Sequence, residues 1–214
     1  MLDNLTLAWP RTRPTRVEAP TVHTTLILAV SAGPLALLIV GVVALLWLIG
    51  AYNRLIAARM SCTGAWSQVD VQLKRRHDLI PNLVETVRGY ASHERETLER
   101  VITARNQAAT AAGPAQAAVA EGMLSGALRQ LFALAEAYPD LKAAGNFRQL
   151  QEELATTENG IASSRQDYNA AVTRYNSAIH MFPTLIAARM FGFQPAEFFQ
   201  VQSFAEREAP RVSF

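Results

Sequence analysis

The sequence predicts an all-α protein, in which an N-terminal transmembrane helix continues into an antiparallel four-helix bundle. Three observations lead to this fold class. An uncharged apolar stretch near the N-terminus is long enough to cross a bilayer. Apolar residues after it recur at the three-four spacing of amphipathic helices, and no run alternates as a strand does. The 214 residues are 50% hydrophobic and 18% charged, which is typical of one folded domain with additional segments.

The apolar stretch predicts a membrane anchor over residues 24–50. Residues 24–53 carry no charged side chain, and their most apolar part runs from Leu26 to Ile49. At about 1.5 Å per helical residue this part exceeds the roughly 30 Å of hydrocarbon in a bilayer. A cleaved signal peptide, cut near the small residues 30–32, would leave most of the apolar run after the cut, which is the reverse of such a peptide. The lipid bilayer is therefore the first predicted partner.

The segments and charges around the anchor narrow the possible functions. Residues 1–23 are rich in Pro, Thr and Arg without periodicity, which predicts a disordered tail. Arginines flank the anchor on both sides, so charge does not decide its orientation. The net charge of +2, with cations and carboxylates interspersed, excludes the one-signed basic face of a nucleic-acid-binding protein. The single cysteine, Cys62, excludes an internal disulfide and a Cys-rich zinc site.

Residues 51–182 are predicted to form the bundle, and a charged stretch is predicted to separate its first two helices. The first helix has an apolar stripe that includes Leu55, Cys62, Trp66, Val69 and Leu73. Cations then favour a helix C-terminus, Asp78 can cap a new helix, and Pro81 suits a first turn. This turn is predicted to expose a partner-facing tip, which comprises Lys74, Arg75, Arg76 and His77.

The remaining bundle helices follow from periodicity. The second is predicted to bend near Gly89 and Ser92, and the third spans about 115–138. The fourth carries a heptad row of large residues, as in coiled-coil-like bundles. This row comprises Phe147, Leu154, Ile161, Tyr168, Tyr175 and Phe182. Glu158 is expected to pair across helices or face water.

Tyr-Asn pairs recur along this fourth helix, at Tyr168-Asn169 and, one heptad later, Tyr175-Asn176. Tyr52-Asn53 is a third copy. We expect each ring to fill the helix seam while its hydroxyl reaches the edge, which needs no ligand.

Residues 183–214 form an aromatic-rich C-terminal segment that follows the fourth helix. Consecutive antiparallel helices return the chain towards the bilayer before this segment. Its rings and its arginine therefore predict contact with the membrane interface, and the alternative is that the rings close the open end of the bundle. The candidate interface residues are Arg189, Phe191, Phe193, Phe198 and Phe199.

Motifs of known chemistry are absent from the sequence. The HERET run at His93 lacks the second histidine of a zinc protease helix, and neither a Glu-x-x-His tetrad nor a glycine-rich phosphate loop occurs. We therefore predict no catalytic, cofactor-binding or metal-binding residue, no cofactor and no small-molecule substrate. The alternative is a metal-dependent hydrolase that uses His77 and Asp78.

Long blocks of the sequence resemble the LemA family of bacterial membrane proteins. These blocks are YNRLIAARMSCTGAWSQVDVQLKRRHDLIPNLVETVRGYASHERETLERV, LFALAEAYPDLKAAGNFRQLQEELATTENGIASSRQDYNAAVTRYN and the ending APRVSF. The resemblance covers about Trp47 to Phe214. It implies one N-terminal transmembrane helix in the bacterial inner membrane, a cytosolic bundle of four long helices and no established enzymatic activity. Together these features indicate a non-enzymatic, membrane-anchored scaffold or adaptor that presents its bundle to unknown protein partners.

Overall fold

The computed structural model describes residues 22–200, with side chains from Pro34 onward. This part of the chain contains six α-helices and no strand. The helices are α1 (Val22–Tyr90), α2 (Arg95–Thr110), α3 (Gly113–Ala135), α4 (Pro139–Ala143), α5 (Gly145–His180) and α6 (Thr184–Met190). The all-α prediction is confirmed. The predictions for residues 1–21 and 201–214 lie outside the described residues.

The chain divides into two units, Met1–Ile49 and Gly50–Phe214. In the first unit the described apolar side chains of α1 are almost all exposed, as at Leu37, which is 75% exposed. Removing apolar surface from water is favourable, so an exposed apolar surface of this extent needs a cover such as lipid. Within the described residues, α1 is the helix that is long and apolar enough to cross a membrane.

The predicted turn around residues 74–78 is wrong, because α1 continues through it to Tyr90. The apolar stripe keeps its phase across this point: Val69 and Leu73 are buried before it, and Ile80 and Val84 are buried after it. A continuous helix therefore keeps one face in the core throughout. Pro81 lies inside this helix, where it lacks the N–H that would bond the carbonyl of residue 77.

The chain first reverses direction at residues 91–94, close to the predicted bend, and α2 follows. Helices α2 and α3 are joined by residues 111–112, and a cluster of buried side chains links them to the end of α1 and the start of α5. This cluster includes Ile80, Leu83, Val87, Leu98, Val101, Leu124, Leu128, Leu131, Phe147 and Leu154. The third predicted helix corresponds to α3, but it ends at Ala135, and Pro139 begins α4.

Helix α5 runs antiparallel to α1. The rings of Trp66 and Tyr168 are 5.2 Å apart, and further along α1 the guanidinium of Arg76 lies 3.1 Å from Glu158. Residue numbers thus rise on one helix as they fall on the other. The heptad row from Phe147 to Tyr175 is buried as predicted. Phe182 departs from the row because α5 ends at His180, and its side chain is 80% exposed.

Candidate functional site

Within the aromatic-rich residues 183–214, residues 193–200 leave α6 and run back along α5 without helical structure. We call residues 193–200 the C-terminal segment. The reversal occurs at Gly192, whose φ of +70° is a conformation that glycine adopts without steric cost. Pro195 cannot donate a backbone hydrogen bond, and it favours an extended chain in the residue before it. The local sequence therefore favours an extended segment here.

Helix α5 holds this segment through the two Tyr-Asn pairs, which we call the Tyr-Asn ladder (Tyr168, Asn169, Tyr175 and Asn176). Each tyrosine donates its hydroxyl hydrogen to a backbone carbonyl: Tyr175 to Gln194 at 2.8 Å and Tyr168 to Glu197 at 2.7 Å.

Each asparagine of the ladder bonds both backbone groups of one residue. The Nδ2 of Asn176 donates to the carbonyl of Ala196 at 3.0 Å, while its Oδ1 accepts from the Ala196 N–H at 2.9 Å. Asn169 does the same to Phe199, at 3.1 and 3.0 Å. The six hydrogen bonds of the ladder therefore all fall on main-chain atoms of the segment.

The spacing of the Tyr-Asn pairs along α5 matches the spacing of the residues that they bond on the C-terminal segment. The pairs are seven residues apart on α5, which is about 10.5 Å along a helix axis. Their targets on the segment are three residues apart, from Gln194 to Glu197 and from Ala196 to Phe199, which is about 10 Å of extended chain. A heptad of helix and a triplet of extended chain thus present the same spacing.

One side chain of the segment is fully packed. Phe199 is 2% exposed, and its ring lies 5.7 Å from that of Trp66. The interface prediction is therefore wrong for Phe199, because this ring completes the core between α1 and α5. Phe193 and Phe198 are half-buried, whereas Arg189 and Phe191 are exposed. The lipid contact predicted for Arg189, Phe191, Phe193 and Phe198 stays a prediction.

A cavity of about 350 Å³ lies beside the ladder, with the segment as one wall. Cys62, Trp66, Tyr168, Tyr175 and Ala196 are among its lining residues. Burial raises the pKa of the Cys62 thiol. Burial, followed by the nearby Cys62 and Glu197, raises the pKa of Tyr168 to about 12. The Tyr168 hydroxyl therefore remains a protonated donor at physiological pH.

A second polar group, the buried charge cluster, lies where α1, α2, α3 and α5 meet. The Arg76 guanidinium donates to Glu121 at 3.2 Å and to the Ser125 hydroxyl at 2.8 Å, while His77 Nε2 lies 2.6 Å from the other Glu121 oxygen. The Arg76 and Glu121 side chains are only 6% and 5% exposed. Such a pair is tolerated in a core because each charge has its partner.

Helix α2 completes this cluster through Arg105, whose Nε donates to the backbone carbonyl of His77 at 3.2 Å. This carbonyl lies four residues before Pro81, so it is the one that the proline leaves without its helical N–H partner. The guanidinium thus provides a donor for the carbonyl that Pro81 does not bond.

The predicted partner-facing tip is wrong for Arg76 and His77, which are 5% and 8% exposed and take part in the charge cluster. Lys74 and Arg75 are exposed on the surface of α1, where partner binding stays a prediction. Asp78 is exposed as well, whereas the neighbouring His77 is buried against Glu121.

Among residues 34–200, His, Cys, Asp and Glu side chains nowhere form a group of three or more that could hold a metal ion. Glu158 pairs across helices as expected, with Arg76. The part that Glu121 takes in the charge cluster and the function of Asn169 and Asn176 were not predicted from the sequence. The repeat of Asn one heptad apart was visible, but the heptad pattern alone did not reveal what the asparagines bind.

These features define the class: an all-α membrane protein whose long apolar helix continues into a helical unit, with its buried polar groups bonded to one another and to its own main chain. The chain belongs to the LemA family, whose model matches residues 65–214. It is 27% identical to magnetosome protein MamQ 1 of Paramagnetospirillum magneticum, over 70% of this chain and 64% of the relative. It is also 27% identical to protein LemA of Metamycoplasma hominis, over 77% of this chain and 73% of the relative. The chain thus spans less than two thirds of the length of the MamQ relative.

Proposed function

We propose that this protein is a non-enzymatic scaffold of the bacterial inner membrane, which binds other proteins through the surface of its helical unit on the cytosolic side. The observation that carries the proposal is α1. One helix contains both the exposed apolar stretch before Gly50 and buried residues of the second unit, such as Leu55 and Val84. A lipid anchor and a folded domain therefore share one continuous element.

The polar residues of the helical unit support a structural function. The buried charge cluster pairs its groups with one another, and the Tyr-Asn ladder binds main chain. Among the described residues, every buried side-chain nitrogen and oxygen has a hydrogen-bond partner, including those of the charge cluster and the ladder. The names of the relatives, magnetosome protein MamQ and protein LemA, do not denote a reaction either.

Lys74 and Arg75 are the first candidates for partner contact, because both are exposed on α1 beside the buried charge cluster. Two adjacent exposed cations favour an acidic partner surface. A second candidate is the groove between α2 and α3, where Val119 and Met123 are 52% and 50% exposed.

Site-specific photo-crosslinking in cells tests the proposal. A photoreactive amino acid at Lys74 or Met123 should give discrete crosslinked proteins, while the same group at the exposed Gln166 on α5 serves as the control. The identified partner should then bind the purified chain in nanodiscs. Binding should weaken at least tenfold when Lys74 and Arg75 are both changed to Glu. Matched charge reversal at the exposed Arg95 and Arg148 should leave binding unchanged. Equal crosslinking from all positions would contradict a specific partner surface.

A further inference from the structure

The Tyr-Asn ladder has the chemistry of a peptide-binding site. It uses side-chain donors and acceptors of α5 to bond the backbone of an extended segment, as peptide-binding domains do when main-chain hydrogen bonds provide affinity. Its repeating unit is simple: one tyrosine bonds the carbonyl of a residue, and the next asparagine bonds both backbone groups of the residue two positions later. None of these bonds depends on the side chains of the bound segment.

We propose that the Tyr-Asn ladder is a separable binding site for an extended peptide, and that the C-terminal segment is its resident, exchangeable ligand. The site takes this segment from its own chain, and it accepts the same segment from a second copy of the chain. The inference goes beyond the scaffold function and does not depend on any other protein partner.

Specificity for this segment comes from one anchor and one exclusion. Phe199 is buried with its ring against that of Trp66, so the site requires a large apolar side chain at that position. Ala196 and Phe199 must each offer a free N–H to an asparagine, so proline is excluded at both positions. Pro195 falls between the bonded residues, where its missing N–H costs no ladder bond.

The six ladder bonds come from α5, whereas α6, to which the segment is joined, contributes one bond, from the Phe193 N–H to the Ala188 carbonyl at 3.0 Å. An identical segment supplied by another molecule can therefore form the same six hydrogen bonds and bury the same ring. The covalent connection through Gly192 raises the effective concentration of the chain's own segment at the ladder, which favours that segment over one from another molecule.

A peptide experiment tests this directly. The probe is a fluorescent synthetic peptide with the sequence of residues 193–200, FQPAEFFQ. It is added to the chain ended after Gly192 and to the full chain, both in nanodiscs. The shortened chain should bind the peptide saturably, and the full chain should bind it at least tenfold more weakly because its own segment occupies the site.

Backbone methylation of the peptide supplies the matched control. A methyl group on the nitrogen of Phe199 removes the N–H that Asn169 accepts, and it should weaken binding at least tenfold. The same methyl group on the nitrogen of Glu197, which donates no hydrogen bond within residues 34–200, should change binding less than threefold. Equal effects at both positions, or no saturable binding to a folded shortened chain, would overturn the proposal.

The full chain provides a second measurement that does not rely on the shortened chain folding. Cys62 is the only cysteine and lines the cavity that the segment covers, so its thiol reports whether the segment is held. Changing both Asn169 and Asn176 to Asp removes two donors at constant shape, and it should accelerate maleimide labelling of Cys62 at least tenfold. Excess peptide with the sequence of residues 193–200 should not slow this labelling, because the altered ladder lacks the donors that bind either segment. Asn106→Asp, at an exposed position of α2, is the control. Unchanged labelling in a folded double variant would refute the ladder's function.

Discussion

Two carboxylates bond the same nitrogen of Arg76 in very different surroundings. Glu121 and Glu158 lie 3.2 and 3.1 Å from Arg76 Nη1, but their side chains are 5% and 57% exposed. Water screens the exposed pair and cannot reach the buried one. Distance alone therefore does not rank these ion pairs, and burial does.

The first prediction separates the two carboxylates. Glu121→Gln removes the buried charge partner of the Arg76 guanidinium and leaves only the exposed Glu158, which should lower the free energy of unfolding by about 3–5 kcal/mol. Glu158→Gln removes a solvated partner and should cost less than about 1 kcal/mol. Thermal and denaturant unfolding of both variants checks the difference. Equal losses would show that burial does not rank these two ion pairs.

The second prediction concerns the Tyr168 hydroxyl, whose pKa is raised to about 12, with burial as the largest cause. In the unfolded chain a tyrosine titrates near pH 10. Below pH 10 the hydroxyl is neutral in both states, so its contribution to stability is fully present. Between pH 10 and 12 the unfolded state ionises first, so this contribution is lost as the pH rises.

The measurement compares wild type with Tyr168→Phe at pH 8 and pH 11. The wild type should lose more unfolding free energy over this interval than the variant, since phenylalanine cannot ionise. The other titrating groups are common to both proteins and cancel. A parallel loss in both proteins would contradict the raised pKa.

At the scale of the element, α1 contains an internal proline together with a donor from another helix. Pro81 leaves the carbonyl of His77 without its helical partner, and Arg105 donates to that carbonyl. The arginine is thus linked to the proline through one backbone atom. A double-mutant cycle is suited to such a link.

The third prediction is the outcome of this cycle. Arg105→Met alone should destabilise the protein by about 1 kcal/mol, because the partly buried carbonyl of His77 loses its donor. In the background of Pro81→Ala, which restores a backbone N–H at position 81, the same change should cost close to nothing. Urea unfolding of the four proteins gives the coupling energy. An equal cost in both backgrounds would show that the two residues are independent.

The sequence predicted those elements whose signal is apolar periodicity. The buried row of α5 and the stripe of α1 from Leu55 to Leu73 follow directly from spacing. The charged stretch at 74–78 led to the wrong prediction of a turn, because cations, a capping residue and a proline are also typical of a helix boundary. Spacing in phase across Pro81 was the stronger signal, since a helix keeps one face buried whatever polar residues that face includes.

The interactions of the C-terminal segment could not be obtained in this way. The six ladder hydrogen bonds join residues 19 to 30 positions apart, as between Tyr175 and Gln194 or between Asn169 and Phe199. No local propensity encodes such a pairing. Only the repeated Tyr-Asn pair gave a hint. The expected ring burial is present at Tyr168 and Tyr175, together with hydrogen bonds that we did not expect, whereas the ring of Tyr52 is 38% exposed.

At the scale of the whole molecule, the exposed apolar residues of α6 and its flank need an explanation. Ile186, Met190 and Phe191 are 50%, 59% and 48% exposed. The Phe191 ring lies 4.8 Å from that of Tyr52, which follows the last residue of the apolar stretch by three positions. We predict that α6 contacts the headgroup region of the bilayer.

Spin labelling in nanodiscs checks this prediction. A nitroxide at Phe191→Cys, with Cys62 changed to Ser, should collide more often with lipid-soluble oxygen than with a water-soluble nickel reagent. A nitroxide at the exposed Glu152→Cys should show the opposite preference. If the two positions behave alike, α6 lies in water.

The matched spacing of the Tyr-Asn ladder makes it a ruler for insertions and deletions. Removing one residue between Ala196 and Phe199 shifts every later backbone group by about 3.3 Å, so only one asparagine can find its partner. One extra residue between Asn169 and Asn176 instead rotates one pair by about 100° around α5, away from the segment. The identities of Glu197 and Phe198 can change freely by comparison. Selection on this part of the protein is therefore expected to act on chain length more strictly than on sequence.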